Sequence, residues 1–265
     1  PGSAALASPI DQAVRDALVS HCENLRYRFA ILAGPRDADQ ATIRQVRGQH
    51  DSKYAAIYYP WLVATMPGSA RETVLYSPEG AMAGIYARVD GERGVHKAPA
   101  NELVMGITGL SQNVNRIEQA QYNERGINVI RIFKDRGIRV WGARTLGTKN
   151  DPSWKYINVR RLFIMIEQSI LIGSQWAVFE PNDHSLWKKL VRDVRSYLMR
   201  VWRSGALFGT TPEEAFYVKC DDETNPRYLI DAGQVNVQIG ICPVKPAEFV
   251  IFSIGQWDGG ALIEE

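Results

Sequence analysis

The chain has 265 residues, 45% of them hydrophobic and 23% charged, with a net charge of +2. That length can bury a substantial core in one large domain or two modest ones. The near-balanced charge gives no case for a nucleic-acid or membrane-surface partner. Cys22, Cys220 and Cys242 are odd in number, far apart and without a CxxC pair, which argues for buried, inert thiols in a reducing compartment rather than a disulfide framework. The most apolar run, Leu162 to Ile166, is far too short to span a membrane. The opening PGSAALASPI lacks an initiator Met, a basic n-region and an apolar h-region. It does not read as a signal peptide, and the chain is expected to be a piece of something longer.

Ser8-Pro9 has the form of an N-cap followed by proline at the first helical position. Val14, Ala17, Leu18, His21, Cys22 and Leu25 then follow helical spacing and predict one buried stripe. Phe29 to Ala33 predicts a buried strand closed by Gly34-Pro35, Asp39 to Gly48 a helix, and Tyr54 to Ala64 a second strand region interrupted by Pro60. This order points to an α/β layer with some parallel pairing. Gly34 stands without the further glycines or the lysine of a nucleotide-binding loop, so it makes a weak phosphate signal. Residues 78–101 begin as a helix whose small residues Ala81, Ala83, Gly84 and Ala87 permit close helix approach, and end in a solvated loop at His96-Lys97.

Ile127–Phe133 and Gly137–Ala143 flank the turn Lys134-Asp135-Arg136-Gly137 and predict a β-hairpin. Ile157 to Ile172 predicts a central buried helix. Arg160 and Arg161 near its start oppose the helix macrodipole, so each is expected to have a carboxylate or carbonyl partner. Asp183 to Arg203 predicts an amphipathic helix with Trp187, Leu190, Val191, Val194, Leu198 and Val201 on its apolar stripe and a strongly basic opposite face. Thr211-Pro212-Glu213-Glu214 is a helix-start pattern. Strands are expected at Ala215–Lys219, Val235–Ile241 and Glu248–Ile254. Asp221, Asp222 and Glu223 lack EF-hand spacing and read as an exposed turn. The last strand is apolar on both faces and follows Pro243 and Pro246, so it needs a sheet to receive it, its own or a neighbour's.

No catalytic set emerges. The histidines at 21, 50, 96 and 184 have no spacing that suits a triad or a metal, and adjacent His21 and Cys22 diverge on a helix. An α/β enzyme is therefore the weaker rival.

Six segments in order carry a family resemblance: YARVDGERGVHKAPAN (86–101), GINVIRIFKDRGIRVWGARTL (126–146), WKYINVRRLF (154–163), QWAVFEPND (175–183), VWRSGALFGTTPEEAF (201–216) and PVKPAEFVIF (243–252). Together they resemble the contractile tail sheath family of phage tails, R-type bacteriocins and extracellular contractile injection systems. The resemblance implies a mixed α/β (α+β) fold, a layered sheet-and-helix core with a C-terminal β-strand arm. It divides the chain into 1–125, an α/β part of the core; 126–245, a C-terminal sheath domain; and 246–265, the arm. It implies a structural, non-enzymatic subunit without cofactors. Such subunits form hexameric rings around an inner tube, link through strand-exchanging arms and contract.

On this sequence the arm would be Glu248, Phe249, Val250, Ile251, Phe252 and Ile254. The acceptor edge would be Phe216, Val218, Val235, Val237 and Ile239, and Lys188, Lys189, Arg192 and Arg195 would face the tube. The implied partners are further copies of the chain, the inner tail tube protein, and baseplate and tail terminator proteins, with no nucleic acid and no membrane insertion. The implied location is a virion tail or contractile particle assembled in the host cytoplasm. A tail-cap or baseplate protein sharing the sheath domain is the alternative.

Overall fold

A computed structural model describes residues 9–68, 72–147 and 151–250. Helix α1 (Pro9–Leu25) leads into strand β1 (Ala30–Ala33), helix α2 (Gln40–Gly48) and strand β2 (Ala55–Tyr59). Asp39 caps α2 by accepting the Thr42 N–H at 2.8 Å, as Asp before an apolar-periodic run favours. Strands β3 (Leu62–Thr65) and β4 (Thr73–Tyr76) precede helix α3 (Glu79–Glu92), the short strand β5 (Gly109–Leu110) and helix α4 (Arg116–Glu124). A reciprocal capping box of Asn115 and Glu118 starts α4. The hairpin β6 (Ile127–Phe133) and β7 (Gly137–Trp141) follows, its turn carried by Asp135 and Gly137 at positive φ.

β1, β2, β6 and β7 form one sheet in that order, parallel except for the β6–β7 hairpin. Residues alternate across it, because successive side chains of a strand point to opposite faces. Ala55, Ile57 and Tyr59 of β2 join Val19, Ile43, Val46 and Tyr122 from α1, α2 and α4 on one face. Ala56 and Tyr58 join Met82, Ile85, Tyr86 and Val89 of α3 on the other. β2 is buried along its whole length, which explains why its sequence, AAIYY, shows no polar alternation. Gly34 serves packing: a Cβ there would lie 2.4 Å from Ile43 Cδ1. The smaller antiparallel sheet β4-β3-β5 lies beside this unit.

The remaining elements are helix α5 (Ile157–Gly173), helix α6 (His184–Arg203), the single turn α7 (Pro212–Ala215), strand β8 (Phe216–Lys219), the short helix α8 (Arg227–Asp231) and strand β9 (Gln238–Ile241). β8 and β9 pair antiparallel, Phe216 opposite Ile241 and Lys219 opposite Gln238. Leu162 and Ile166 of α5, Val194, Leu198 and Val201 of α6, and Ala215 and Phe216 share a second core. The mixed α/β class expected from the sequence is what the chain adopts.

Several expectations are corrected. The buried stripe of α1 is Arg15, Val19 and Cys22, whereas Val14, Leu18 and Leu25 are exposed. The helix meets the body along a line one residue over, and too narrow to cover both sets. In α3 the face on the sheet is Met82, Ile85, Tyr86 and Val89, while Ala83, Gly84 and Ala87 are exposed, Ala83 and Ala87 lining an open recess with Ile164 and Met165 of α5. α5 is not buried all round. Leu162 and Ile166 are, Phe163, Ile164 and Met165 are half-covered, and Leu171 and Ile172 near its end are exposed. Of the cysteines, only Cys22 is buried and Cys242 is exposed. The expected division after residue 125 falls between α4 and β6, and β6 then pairs directly with β2, Ile57 opposite Ile127. Residues on both sides of that point therefore share one sheet. The N-cap expected at Ser8 lies outside the described residues.

Arg160 and Arg161 do find carboxylates. Arg160 donates two bonds to Glu167 at 2.9 and 3.0 Å. Arg161 grips Asp90 at 2.9 and 2.5 Å while lying over the Tyr86 ring.

Candidate functional site

Three surfaces gather the residues singled out by sequence: the basic face of α6, the β8–β9 ribbon, and the segment that follows the ribbon. α6 buries Leu186, Trp187, Leu190, Val194, Leu198 and Val201, so helical periodicity turns the intervening cations outward. Lys188, Lys189, Arg192 and Arg195 are all exposed. Arg192 pairs with Asp193 at 2.9 Å and Arg195 with Glu213 at 2.7 Å. A shallow recess further along the same face is lined by Arg192, Arg195, Arg200 and Arg203 around Ser196 and Met199. Arg200 and Arg203 thus extend the basic surface by two turns beyond the four residues expected to face the tube.

The ribbon is two strands wide among the described residues. Phe216 is buried, and Val218 and Ile239 are half-buried against the α5–α6 core. Tyr217 lies across Gly240, where a Cβ would overlap its ring, so a side chain there would push the exposed Tyr217 ring aside. Val235 and Val237 are not on a strand. β9 begins only at Gln238, and these two valines pack against Leu186, Trp187 and Leu190. The reason lies in Asn225, which is 1% exposed. Its amide accepts the Asn236 N–H at 2.6 Å and donates to the Asn236 carbonyl at 3.1 Å, taking the place of a strand partner there.

After β9 the chain runs as an extended strap. The Cys242 N–H donates to the Ala215 carbonyl at 2.8 Å, and the Phe208 N–H donates to the Cys242 carbonyl at 2.8 Å. The Val244 N–H reaches the Ala206 carbonyl at 3.2 Å. The expected arm strand is not formed within the chain over its described part: residues 244–250 have no ladder partner. Ile251, Phe252 and Ile254 lie outside the described residues. Phe249 and Val250 are 70% and 69% exposed.

Glu248 does the opposite and turns inward. Arg144 holds its carboxylate bidentately at 2.8 and 2.7 Å. Asn123 donates at 2.6 Å and the Tyr156 hydroxyl at 3.1 Å, and Lys155 Nζ stands 3.5 Å away. Burial alone would raise the Glu248 carboxyl, but the bonds from Arg144 and Asn123 and the Arg144 and Lys155 charges outweigh it and hold it below the usual glutamate value. Burial and the neighbouring Glu248 push the Tyr156 phenol up. Sequence reasoning placed Glu248 on an arm and missed this role. A lone acid inside an otherwise apolar, proline-flanked run was the only signal available.

Among the described residues no group of three or more His, Cys, Asp or Glu could hold a metal ion, and no helix is long and apolar enough to cross a membrane.

Comparison with known proteins places this architecture. Residues 2–146 match the family model of the phage tail sheath protein central domain, and residues 149–256 match that of the phage tail sheath C-terminal domain. The chain is 30% identical over 258 residues to a prophage major tail sheath protein of Pseudomonas aeruginosa strain UCBPP-PA14, covering 93% of this chain and 63% of that protein. It is 24% identical to the tail sheath protein of Escherichia phage P2, over 88% of this chain and 57% of that protein. It therefore spans about three fifths of the length of these relatives.

Among solved structures, a chain of the anti-feeding prophage helical sheath in the contracted state superposes with a TM-score of 0.80 at 37% identity, covering 92% of this chain and 66% of that one. A chain of the anti-feeding prophage baseplate in the contracted state gives 0.85 at 30% identity, over 94% and 66%. These relatives are structural sheath proteins, not enzymes. With both of its domains matched by sheath models over nearly its full length, the chain belongs to the phage tail sheath family.

Proposed function

We propose that this chain is the core of a structural subunit of a contractile tail sheath. The subunit polymerises as hexameric rings around an inner tube and contracts to drive that tube through a target envelope. The observation that carries this reading is the agreement, over 92% of the chain, with a sheath in its contracted state. Subunits are linked by strand donation. The tail beyond Glu248, through Phe249, Val250, Ile251, Phe252 and Ile254, adds to the open edge of a neighbour's β8–β9 ribbon, with Phe216, Val218 and Ile239 anchoring that ribbon from below and Val235 and Val237 leading into it. Main-chain hydrogen bonds of this kind tolerate many sequences and survive rigid-body rotation of the bodies they join. Repeated around a ring, individually weak links gain strength by avidity. Contraction is release from a metastable extended lattice.

The basic face of α6, with Lys188, Lys189, Arg192 and Arg195, meets an acidic inner tube protein. Baseplate and tail terminator proteins bound the polymer at its ends, and assembly takes place in the host cytoplasm before the tail or particle is complete.

Negative-stain electron microscopy of the full-length protein tests the reading. Hollow striated tubes are expected, and Val250→Asp with Phe252→Asp is expected to abolish them while leaving a folded subunit. Normal tubes from that double variant would remove the arm assignment. A second reading, a subunit at the baseplate end of the particle, is favoured by the likeness to a chain in a baseplate reconstruction. It predicts small discrete rings instead of tubes.

A further inference from the structure

We infer that Glu248 is a lock that fixes where the C-terminal tail leaves the subunit body, and that it does so by clasping both domains at their junction. The inference rests on the strand-donation reading above and adds to it a positioning residue.

The strap secures itself in steps. Cys242 and Val244 bond to the backbone at Ala215, Phe208 and Ala206, all within the C-terminal domain match. Asn158, 1% exposed, donates to the His96 carbonyl at 2.8 Å and the Val244 carbonyl at 3.4 Å. Pro246 then offers no N–H and a restricted φ, so residues 245–247 are held from their ends. Glu248 closes the strap. Two of its partners, Asn123 and Arg144, lie in the central-domain match, and two, Lys155 and Tyr156, in the C-terminal match. Arg144 is itself immobilised. Its guanidinium donates to the Asn123 carbonyl at 2.7 Å, and its backbone N–H donates to Asn128 Oδ1 at 2.7 Å. One residue later the chain is open to solvent, Phe249 being 70% exposed.

A largely buried ion pair is weak grounds for stability, and its best-attested use is to fix one geometry; the planar Arg fork adds direction as well as energy. Opening the lock frees the tail back to Val244. The donated strand then starts its search from a longer, looser tether, which lowers its effective concentration at the neighbour's edge and adds ordering entropy for every residue released. Load carried along the arm meets the bidentate pair before it meets the strap's backbone hydrogen bonds.

The test uses the full-length protein, with Glu248→Gln, a truncation after Val250, and Leu198→Ala as a core-destabilised control. Hydrogen exchange of residues 245–250 and the threshold concentration for tube formation are read together. Glu248→Gln is expected to keep cooperative unfolding, speed exchange in that segment by about tenfold or more, and raise the threshold by about tenfold. Arg144→Gln combined with it is expected to add little, because the two residues act as one unit. Leu198→Ala is expected to lower the melting temperature without moving the threshold, which separates positioning from stability. Unchanged exchange and threshold in Glu248→Gln, with tubes lost on truncation, would overturn the lock alone. Tubes from the truncated protein would overturn strand donation and the lock with it.

Discussion

At the residue scale, a few polar side chains do what backbone ladders do elsewhere. Asn128 is 0% exposed on β6. Its amide donates to the Ile57 carbonyl at 3.2 Å and the Arg144 carbonyl at 2.8 Å, and accepts the Arg144 N–H at 2.7 Å. Asn128→Ala strips the buried Arg144 N–H and carbonyl of the partner that Asn128 supplies, and a loss of about 2–4 kcal/mol is expected in urea unfolding. Gly142 packs against the same residue: a Cβ there would sit 2.9 Å from Asn128 Cα, and backbone cannot swing aside. Gly142→Ala is expected to cost about 1–3 kcal/mol. Phe179 is the reverse case, with φ +68 and a fully exposed ring. A left-handed conformation costs a non-glycine residue about 1–2 kcal/mol, and here no burial offsets it. Phe179→Gly is expected to raise the melting temperature by a few degrees, about 1 kcal/mol at this size.

At the scale of elements, α6 separates two kinds of residue on one helix. Leu198, at 0% exposure, lies in the core shared with α5 and β8, so Leu198→Ala is expected to cost about 2–5 kcal/mol. Lys188→Ala and Lys189→Ala on the opposite face are expected to change stability by less than about 0.5 kcal/mol. If that face meets an acidic partner, the same changes weaken co-assembly with the tube protein and reduce its salt sensitivity, since exposed charges are screened within about 10 Å at moderate ionic strength. Thermal melts and a co-sedimentation assay across salt concentrations read the two effects separately.

At the scale of the whole molecule, the junction between the two matched domains is bridged by a titratable group. The folded protein holds the Glu248 carboxyl below its usual value. A carboxyl depressed in the folded state contributes stability that is complete above its unfolded value and is lost as pH falls through the folded one. The contribution is therefore full at neutral pH and disappears in acid, below the ordinary glutamate value of about 4.3. Melting temperatures followed from pH 7 into that range are expected to fall more steeply for the parent than for Glu248→Gln, whose side chain does not titrate. Parallel curves would show that the strap contributes nothing to cohesion of the body.

Much of this was legible in the residues themselves. Strand and helix periods, the helix-start pattern at Thr211-Pro212-Glu213-Glu214, the hairpin turn at Asp135-Gly137 and the amphipathic stripe of α6 are local, because each depends on neighbours within a few positions. The chain order of six short segments was enough to place the family. What only the tertiary structure decided depends on which surfaces meet. Sequence spacing marks Val14, Leu18 and Leu25 as apolar, but the orientation of α1 on its sheet leaves them in water and buries Arg15. Val235 and Val237 are strand-forming residues, yet Asn225, eleven positions before Asn236, bonds the Asn236 backbone in place of a strand partner. Glu248 lies 104 residues from Arg144, and no local pattern joins them. Periodicity is written along the chain, whereas a side chain's partner is set by the folding of distant segments into contact, and the lock at the root of the tail exists only in that second kind of information.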